Sequence, residues 1–365
     1  MEIIVGKEEL SKALHLLNGV IEQKKTLPIL ANFLIEAGEN KALLAGTDLE
    51  VGIKKTIPVT VKKPGGTTLS ARRLYEIVRE LPEAQVSIKV SESDVTTLEC
   101  GRAEFKIKGT AKEEFPALPK AEGKEQLSIN QKVLAQMVKK TAFATSSDET
   151  RYTLTGILFQ VKEDFLKLVA TDGHRLAVIK KKIEAKGLEK EIILPKKALL
   201  EVVKLDDGQE ENIKIFLLEN QALFERGEAM LFSRIIEGQF PDYTGVIPKE
   251  TPRKIILKRD EFMGALRRTS TMMSERSIPT KLVLSKGKFT VLCINPDLGE
   301  AKEELEIKPP QEDLTIGFNA RYLIDALNVI EQENVELALN DAVSPATLRG
   351  EGDEDYLCVV MPMRI

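Results

Sequence analysis

A chain of 365 residues is longer than one ordinary domain and fits two or three. Its 53 Lys and Arg against 57 Asp and Glu give a formal net charge of -4, which argues against a surface that wraps nucleic acid on all sides. Cys100, Cys293 and Cys358 lie in strand-like segments without CxxC spacing, so they read as small buried hydrophobes in a reducing compartment, not as a disulfide or zinc framework. The chain opens Met1-Glu2-Ile3 with no basic, apolar leader, and no stretch approaches a membrane span. A cytoplasmic protein is expected.

In chain order, Ile3 to Val5 reads as a strand. Leu10, Ala13, Leu14 and Leu17 then fall at helical spacing, ending near Gly19. Strands are expected over 29–36, 41–45 and 51–61. A helix follows with the stripe Leu74, Ile77, Val78 and Leu81, with Ser70 as its N-cap and Pro82 as its stop. Strands over 86–90, 96–100 and 103–108 lead to Phe115-Pro116. A second unit starts near Gln126 with a strand at 127–129. Asn130 caps a helix carrying Leu134, Met137, Val138 and Thr141. Strands over 154–161, 165–170 and 177–183 precede a helix entered after Pro195, with Leu199, Val202, Val203 and Asp206. Strands over 213–217, 221–225 and 229–235 then run to Phe240-Pro241-Asp242-Tyr243. The third unit opens with a strand at 255–257 and a helix bearing Phe262, Ala265, Leu266 and Thr269. Strands at 281–284, 289–294 and 301–307 follow. Asn319 caps a helix with Leu323, Ala326, Leu327 and Ile330, and strands at 335–339, 346–349 and 358–361 end the series.

The order is a threefold repeat of about 124 residues. Ser70, Pro195 and Asn319 open the second helix of each unit, and Phe115-Pro116 is echoed by Phe240-Pro241. The expected fold class is α+β: three repeated domains over 1–122, 123–250 and 251–365, each with two helices on antiparallel sheet. Such an array invites closure by symmetric association. Six helix windows (7–19, 70–81, 130–144, 196–207, 259–276 and 319–332) carry 16 Lys/Arg against 12 Asp/Glu. Arg72, Arg73, Arg79, Lys132, Lys139, Lys140, Lys196, Lys197, Lys204, Arg267 and Arg268 lie on or beside them. They could hold a polyanionic backbone without reading bases, or be ordinary solvated faces.

No phosphate loop, HExxH or acidic calcium loop is present. The turn Thr171-Asp172-Gly173-His174-Arg175 holds one of two histidines and echoes Thr47-Asp48. Asp172 and His174 lack a third partner and a nucleophile, so the turn points to binding or structure, with Asp172 accepting turn amides. The ending Val359 to Ile365 is nearly all apolar and contains Pro362. It reads either as an edge strand tucked into the core or as an adaptable groove wall.

Thr171 to Ala177, Phe240-Pro241-Asp242-Tyr243, Thr26 to Leu30, Gly46 to Glu50 and Val360 to Arg364 resemble the bacterial DNA polymerase III beta subunit family, the sliding clamps, from Met1 to Ile365. The resemblance implies a head-to-tail homodimer forming a ring around double-stranded DNA, helices inside and sheets outside. It implies no catalysis, cofactor or metal. Its partners would be the replicative polymerase, a clamp loader and other proteins with clamp-binding peptides. The partner-peptide groove it implies uses Leu154, Thr171, Gly173, His174, Arg175, Leu176, Pro241, Val246, Val360, Met361, Pro362, Met363 and Arg364. Phe105 and Ile107 of one subunit would meet Met272 and Met273 of the other, and Lys24 would face DNA. Gly245 stands where the family often has a basic residue, and Met272-Met273 where it often has Ile-Leu. Competing readings are a non-topological, sequence-independent DNA-binding module, a metal-dependent nuclease on the Asp172 turn, and a structural scaffold without DNA.

Overall fold

The structure, a computed structural model, describes residues 1–21, 27–119, 127–185, 187–205, 211–272, 278–285, 287–307 and 312–365. Lys24, Thr26, Asp206 and Met273, together with the expected boundary at 122–123, lie outside the described residues.

Among the described residues six α-helices stand where the apolar stripes place them: α1 Lys7–Asn18, α2 Ala71–Glu80, α3 Gln131–Ala142, α4 Lys196–Val202, α5 Arg259–Thr269 and α6 Ala320–Val329. Leu10, Ala13, Leu14 and Leu17 are buried along α1, as are Phe262, Ala265, Leu266 and Thr269 along α5. Thr141 and Thr269 hold stripe positions despite their hydroxyls. Each donates to the carbonyl four residues back, Met137 at 2.9 Å and Ala265 at 2.8 Å, so neither polar group is buried unpaired. Asn130 and Asn319 cap through their side chains, accepting from the amides of Lys132 and Arg321, each at 3.0 Å. Ser70 makes no side-chain cap bond, contrary to expectation.

The repeat is repeated in hydrogen bonds. The first residue of α1, α3 and α5 donates its amide to a carbonyl just past the second helix of its copy: Lys7 to Ala84 at 3.1 Å, Gln131 to Glu211 and Arg259 to Glu333 at 2.8 Å. The Gln131 amide group also caps the end of α4 at Val202 (3.0 Å), and Arg259 caps the end of α6 at Ile330 (2.7 Å). Donors at these C-terminal carbonyls satisfy groups the helix leaves open.

The chain forms two compact units, Met1–Leu134 with Lys197–Ile235, and Ala135–Lys196 with Ile236–Ile365. Each contains one eight-stranded antiparallel sheet and one smaller sheet. In the first unit the large sheet runs Leu127–Asn130, Asn212–Leu217, Gln221–Arg226, Ala229–Arg234, Val51–Pro58, Lys41–Thr47, Asn32–Gly38, Gly65–Ser70. In the second it runs Lys190–Pro195, Gly156–Lys162, Phe165–Thr171, Arg175–Lys182, Tyr356–Val360, Ala346–Gly350, Asn334–Leu339, Arg253–Lys258. The sheets therefore cross the repeat boundaries. Gly52 pairs with Phe232, and Leu176 with Val359. In the first unit α1 packs on α2 and on the strands Lys41–Thr47 and Val51–Pro58; in the second α5 packs on α6 and on Lys288–Asn295 and Gly299–Glu306.

Three strands beyond those expected precede the second helices: Gly65–Ser70, Lys190–Pro195 and Leu314–Phe318. The expected strand 51–61 is two strands, broken after Pro58, which lacks the amide a ladder needs. Its second half, Thr60–Lys63, joins the five-stranded sheet instead. Leu154 ends a short 3-10 turn, Glu149–Leu154, and the strand begins at Gly156.

Candidate functional site

In the second unit the strands Phe165–Thr171 and Arg175–Lys182 are joined by the turn the sequence singles out. Its shape is fixed from within. Gly173 takes φ +87°, open to glycine at little cost. The Asp172 carboxylate accepts the amides of His174 at 2.9 Å and Arg175 at 3.1 Å; the Thr171 hydroxyl accepts the Gly173 amide at 3.0 Å and donates to the Arg175 carbonyl at 2.7 Å. Asp172 is thus the Asx residue expected, and Asp48 repeats the arrangement with the amides of Glu50 and Val51.

On one side of the turn lies an apolar cavity of about 200 Å³, lined by Arg151, Leu154, Thr171, Gly173, Arg175, Leu176, Pro241, Asp242, Tyr243, Val246, Val359 and Met361. Its base is a packed cluster of Leu154, Leu158, Val169, Leu176, Ile193, Phe240 and Val359. Burial pushes the Tyr243 phenol up, so it stays a neutral wall. On the other side lies a polar cavity of about 630 Å³, lined among others by Ser146, Asp148, Asp172, His174, Arg321, Tyr322 and Asp325. A third hollow, of about 550 Å³, shares Val246 and Met361 with the apolar one and reaches Lys249 and Asn340.

Of the expected groove residues, Leu154, Thr171, Gly173, Arg175, Leu176, Pro241, Val246 and Met361 meet around the apolar cavity. His174 does not line it. Its ring faces the polar cavity and stacks on Tyr322, with centroids 6.1 Å apart. Val360 is fully buried and Val359 lines the cavity, because adjacent residues of a strand face opposite ways. Pro362, Met363 and Arg364 lie outside the cavity lining, and Met363 is tied to Gly317 by a backbone bridge. Arg151, Asp242, Tyr243 and Val359 were not foreseen. Tyr243 and Val359 each carried a signal, one closing the Phe-Pro-Asp-Tyr motif and the other beginning the apolar tail.

Arg175 anchors the turn. Its Nε donates to Asp172 at 3.0 Å, Nη1 to Asp325 at 2.6 Å and Nη2 to the Phe143 carbonyl at 2.8 Å. The guanidinium lies 4.6 Å from the Tyr322 ring centroid and 5.3 Å from that of Phe143. Burial lowers its pKa, but the hydrogen bond to Asp325 and the charge of Asp172 outweigh this and raise it.

The basic residues expected to face DNA divide into three groups. Arg72, Arg73, Arg79, Lys132, Lys139, Arg267 and Arg268 are exposed. Several make surface pairs, Arg72 with Glu76, Lys139 with Glu331 and Arg268 with Glu303, which solvent screens and a phosphate can replace. Lys204 is exposed and paired with Glu201, Lys197 holds Asp48, and Lys196 is half-buried with its pKa lowered by burial and by Arg175. Lys140 is placed differently from the others. It is buried against Asp353 at 2.7 Å and cannot turn to a polyanion without stranding that carboxylate. Phe105 is 36% exposed on Ala103–Lys108, an edge strand of the five-stranded sheet. Ile107 and Met272 are half-buried.

Among the described residues no group of three or more His, Cys, Asp or Glu is placed to hold a metal ion. A threefold repeat of helices on antiparallel sheet, with a shaped apolar cavity beside a repeat boundary, has the features of a binding protein. Models of the DNA polymerase III beta subunit match the chain in series: the N-terminal domain over residues 1–119, the central domain over 128–242 and the C-terminal domain over 244–364. The chain belongs to this family, the bacterial beta sliding clamps, which is non-catalytic. It is 33% identical to the beta sliding clamp of Pseudomonas putida, with both chains covered in full. It is also similar to the crystal structure of the Bacillus subtilis clamp (31% identity, 100% of this chain and 99% of that one, TM-score 0.95). A Pseudomonas aeruginosa clamp bound to griselimycin matches at 33% identity, full coverage of both chains and a TM-score of 0.94. The function is that of the family: a clamp that encircles DNA and confers processivity on the polymerase it tethers.

Proposed function

We propose that two copies of the chain close head to tail into a ring around duplex DNA, and that the apolar cavity docks the clamp-binding peptides of the polymerase, the loader and other partners. The observation that carries the docking role is the 200 Å³ cavity itself, apolar at its base and rimmed by Arg151, Arg175 and Asp242. Such a pocket takes a Leu and a Phe side chain while its rim orients the peptide backbone. Ring closure is supported by two uncovered sheet edges. Ala103–Lys108 presents Phe105 with Glu104, Lys106 and Lys108, a small basic excess; Gly299–Glu306 presents Glu300, Lys302, Glu304 and Glu306, with Glu303 half-buried, an acidic excess. Opposite charges on open edges favour pairing between copies and disfavour self-pairing of either edge. The exposed arginines and lysines supply weak, sequence-independent phosphate contacts that leave sliding fast. Tethering raises the effective concentration of polymerase at the primer end. No helix among the described residues is long and apolar enough to cross a membrane, and we place the protein in the cytoplasm.

Two measurements test this. A labelled peptide containing Gln, Leu and Phe should bind the protein, and Val246→Asp should weaken it at least about tenfold by placing a charge in an apolar pocket; unchanged affinity removes the cavity from the docking site. Protein loaded on circular DNA should stay until the circle is cut. Retention on the linear product favours a module held by affinity instead of topology.

A further inference from the structure

The turn that walls the apolar cavity is held from behind by a residue the cavity never touches. We propose that Asp325, on α6, is a positioning residue for the docking cavity, acting through Arg175. The inference rests on the reading of that cavity as the peptide site.

The geometry forms a chain of fixed contacts. Asp325 lines the polar cavity and not the apolar one. Its Oδ2 lies 2.6 Å from Arg175 Nη1, while Arg175 Nε is 3.0 Å from Asp172 Oδ2. The other Asp172 oxygen holds the amides of His174 and Arg175. Arg175 therefore sets the Asp172 carboxylate, and the carboxylate sets the turn. The turn in turn meets the opposite wall: Arg175 pairs with Val360, and the Met361 amide donates to the His174 carbonyl at 2.8 Å. A shift of the guanidinium thus reaches Gly173 on one wall and Met361 on the other.

Electrostatics gives Asp325 its weight. The Arg175 side chain is only 10% exposed, and Lys196 lies close enough to feel its charge. Two buried or half-buried cations face two carboxylates, Asp172 and Asp325. Without Asp325 the Arg175 guanidinium keeps one carboxylate, the Phe143 carbonyl and the ring of Tyr322, with Lys196 repelling it.

The first copy of the turn shows that this device is an addition to the scaffold. Asp48 accepts the same two amides, but Val51 stands in the place of Arg175, and Asp48 is held by Lys197. Glu201, in the place of Asp325, pairs with Lys204. The turn can therefore form without the Arg-Asp link. The link occurs at the copy that walls the apolar cavity.

The experiment uses the full-length protein and its Asp325→Ala and Asp325→Glu variants. Amide hydrogen exchange at His174 and Arg175 is measured without ligand, and binding of the labelled Gln-, Leu- and Phe-containing peptide by fluorescence polarisation. Asp325→Ala should speed both amides and weaken the peptide about tenfold in a protein that remains folded, and Asp325→Glu should restore both. Unchanged exchange in Asp325→Ala overturns the link to the turn. Faster exchange with unchanged affinity overturns the positioning role while leaving the docking site in place. A wild-type protein that does not bind the peptide overturns the docking reading and this role with it.

Discussion

Replacing Lys140 with alanine should destabilise the protein without affecting its hold on DNA. Lys140 lies on α3, its side chain 5% exposed, with its ammonium 2.7 Å from Asp353 and 4.9 Å from the Tyr356 ring centroid. Asp353 is 10% exposed and, among the described residues, also receives the Gln332 amide group at 3.3 Å and the Asp355 amide at 3.2 Å. Removing one member of a buried pair costs about 3–5 kcal/mol, because the charge left behind has lost its solvation. At roughly 2–4 °C per kcal/mol for a unit of 150–250 residues, the transition of the second unit should fall by about 10 °C in calorimetry. The pH dependence sharpens the test. Burial pushes the Asp353 carboxyl up, and the hydrogen bond and charge of Lys140 overcome it and hold the pKa below its ordinary value. A lowered folded pKa stabilises above the unfolded carboxylate pKa, about 3.9, and that contribution is lost as pH falls through the folded value. In Lys140→Ala burial acts without the ammonium, so the folded pKa should rise and the penalty should ease on acidification. The gap between the two proteins should therefore narrow from pH 7 towards pH 4. Lys140→Met with Asp353→Asn should recover most of the loss. If Lys140→Ala melts within about 2 °C of wild type throughout that range, the pair contributes nothing and the argument fails. The salt dependence of DNA retention should be unchanged, since Lys140 releases no counterion.

Gly173→Ala should cost about 1–2 kcal/mol for a side chain at φ +87° and weaken peptide binding, while Gly173→Asn should lose less, since asparagine tolerates that region. The reverse order, read from melting curves, would show that the turn relaxes to another conformation. Phe105→Asp puts a carboxylate on an exposed edge strand and should give a monomer in sedimentation with a normally folded first unit. A dimer mass for that variant removes Phe105 from the seam.

The helices were legible because their stripes are local: Leu10, Ala13, Leu14 and Leu17 report one face within three turns. The strands before the second helices were not. Gly65-Gly66-Thr67-Thr68 has no apolar alternation, yet Thr67 and Thr68 are fully buried on an edge strand against which α2 and the short turn Lys112–Glu114 pack. Nor could the tail be assigned a face. Val359-Val360 is a continuous apolar pair, and only its register with Leu176 and Arg175 decides which one enters the cavity. The burial of Lys140 was hidden for the same reason at longer range. On its helix it sits off the apolar stripe, and the residues that bury it, Asp353 and Tyr356, come more than 200 residues later. The turn at Thr171–Arg175 was legible as a turn held by Asp172, but the other roles within it were not: Arg175 is its anchor, and His174 faces the polar cavity.

The pairing of Arg175–Ile179 with Tyr356–Val360 also fixes when the site can come into being. A ribosome delivers Val360 some 185 residues after Arg175, and at roughly 5–20 residues per second the interval is on the order of ten to forty seconds. Through that interval the strand Arg175–Lys182 lacks one neighbour and the cavity lacks Val359 and Met361. All residues of the first unit, which ends at Ile235, are made before the last strand of the cavity, so the cavity is among the last features of the chain to be completed.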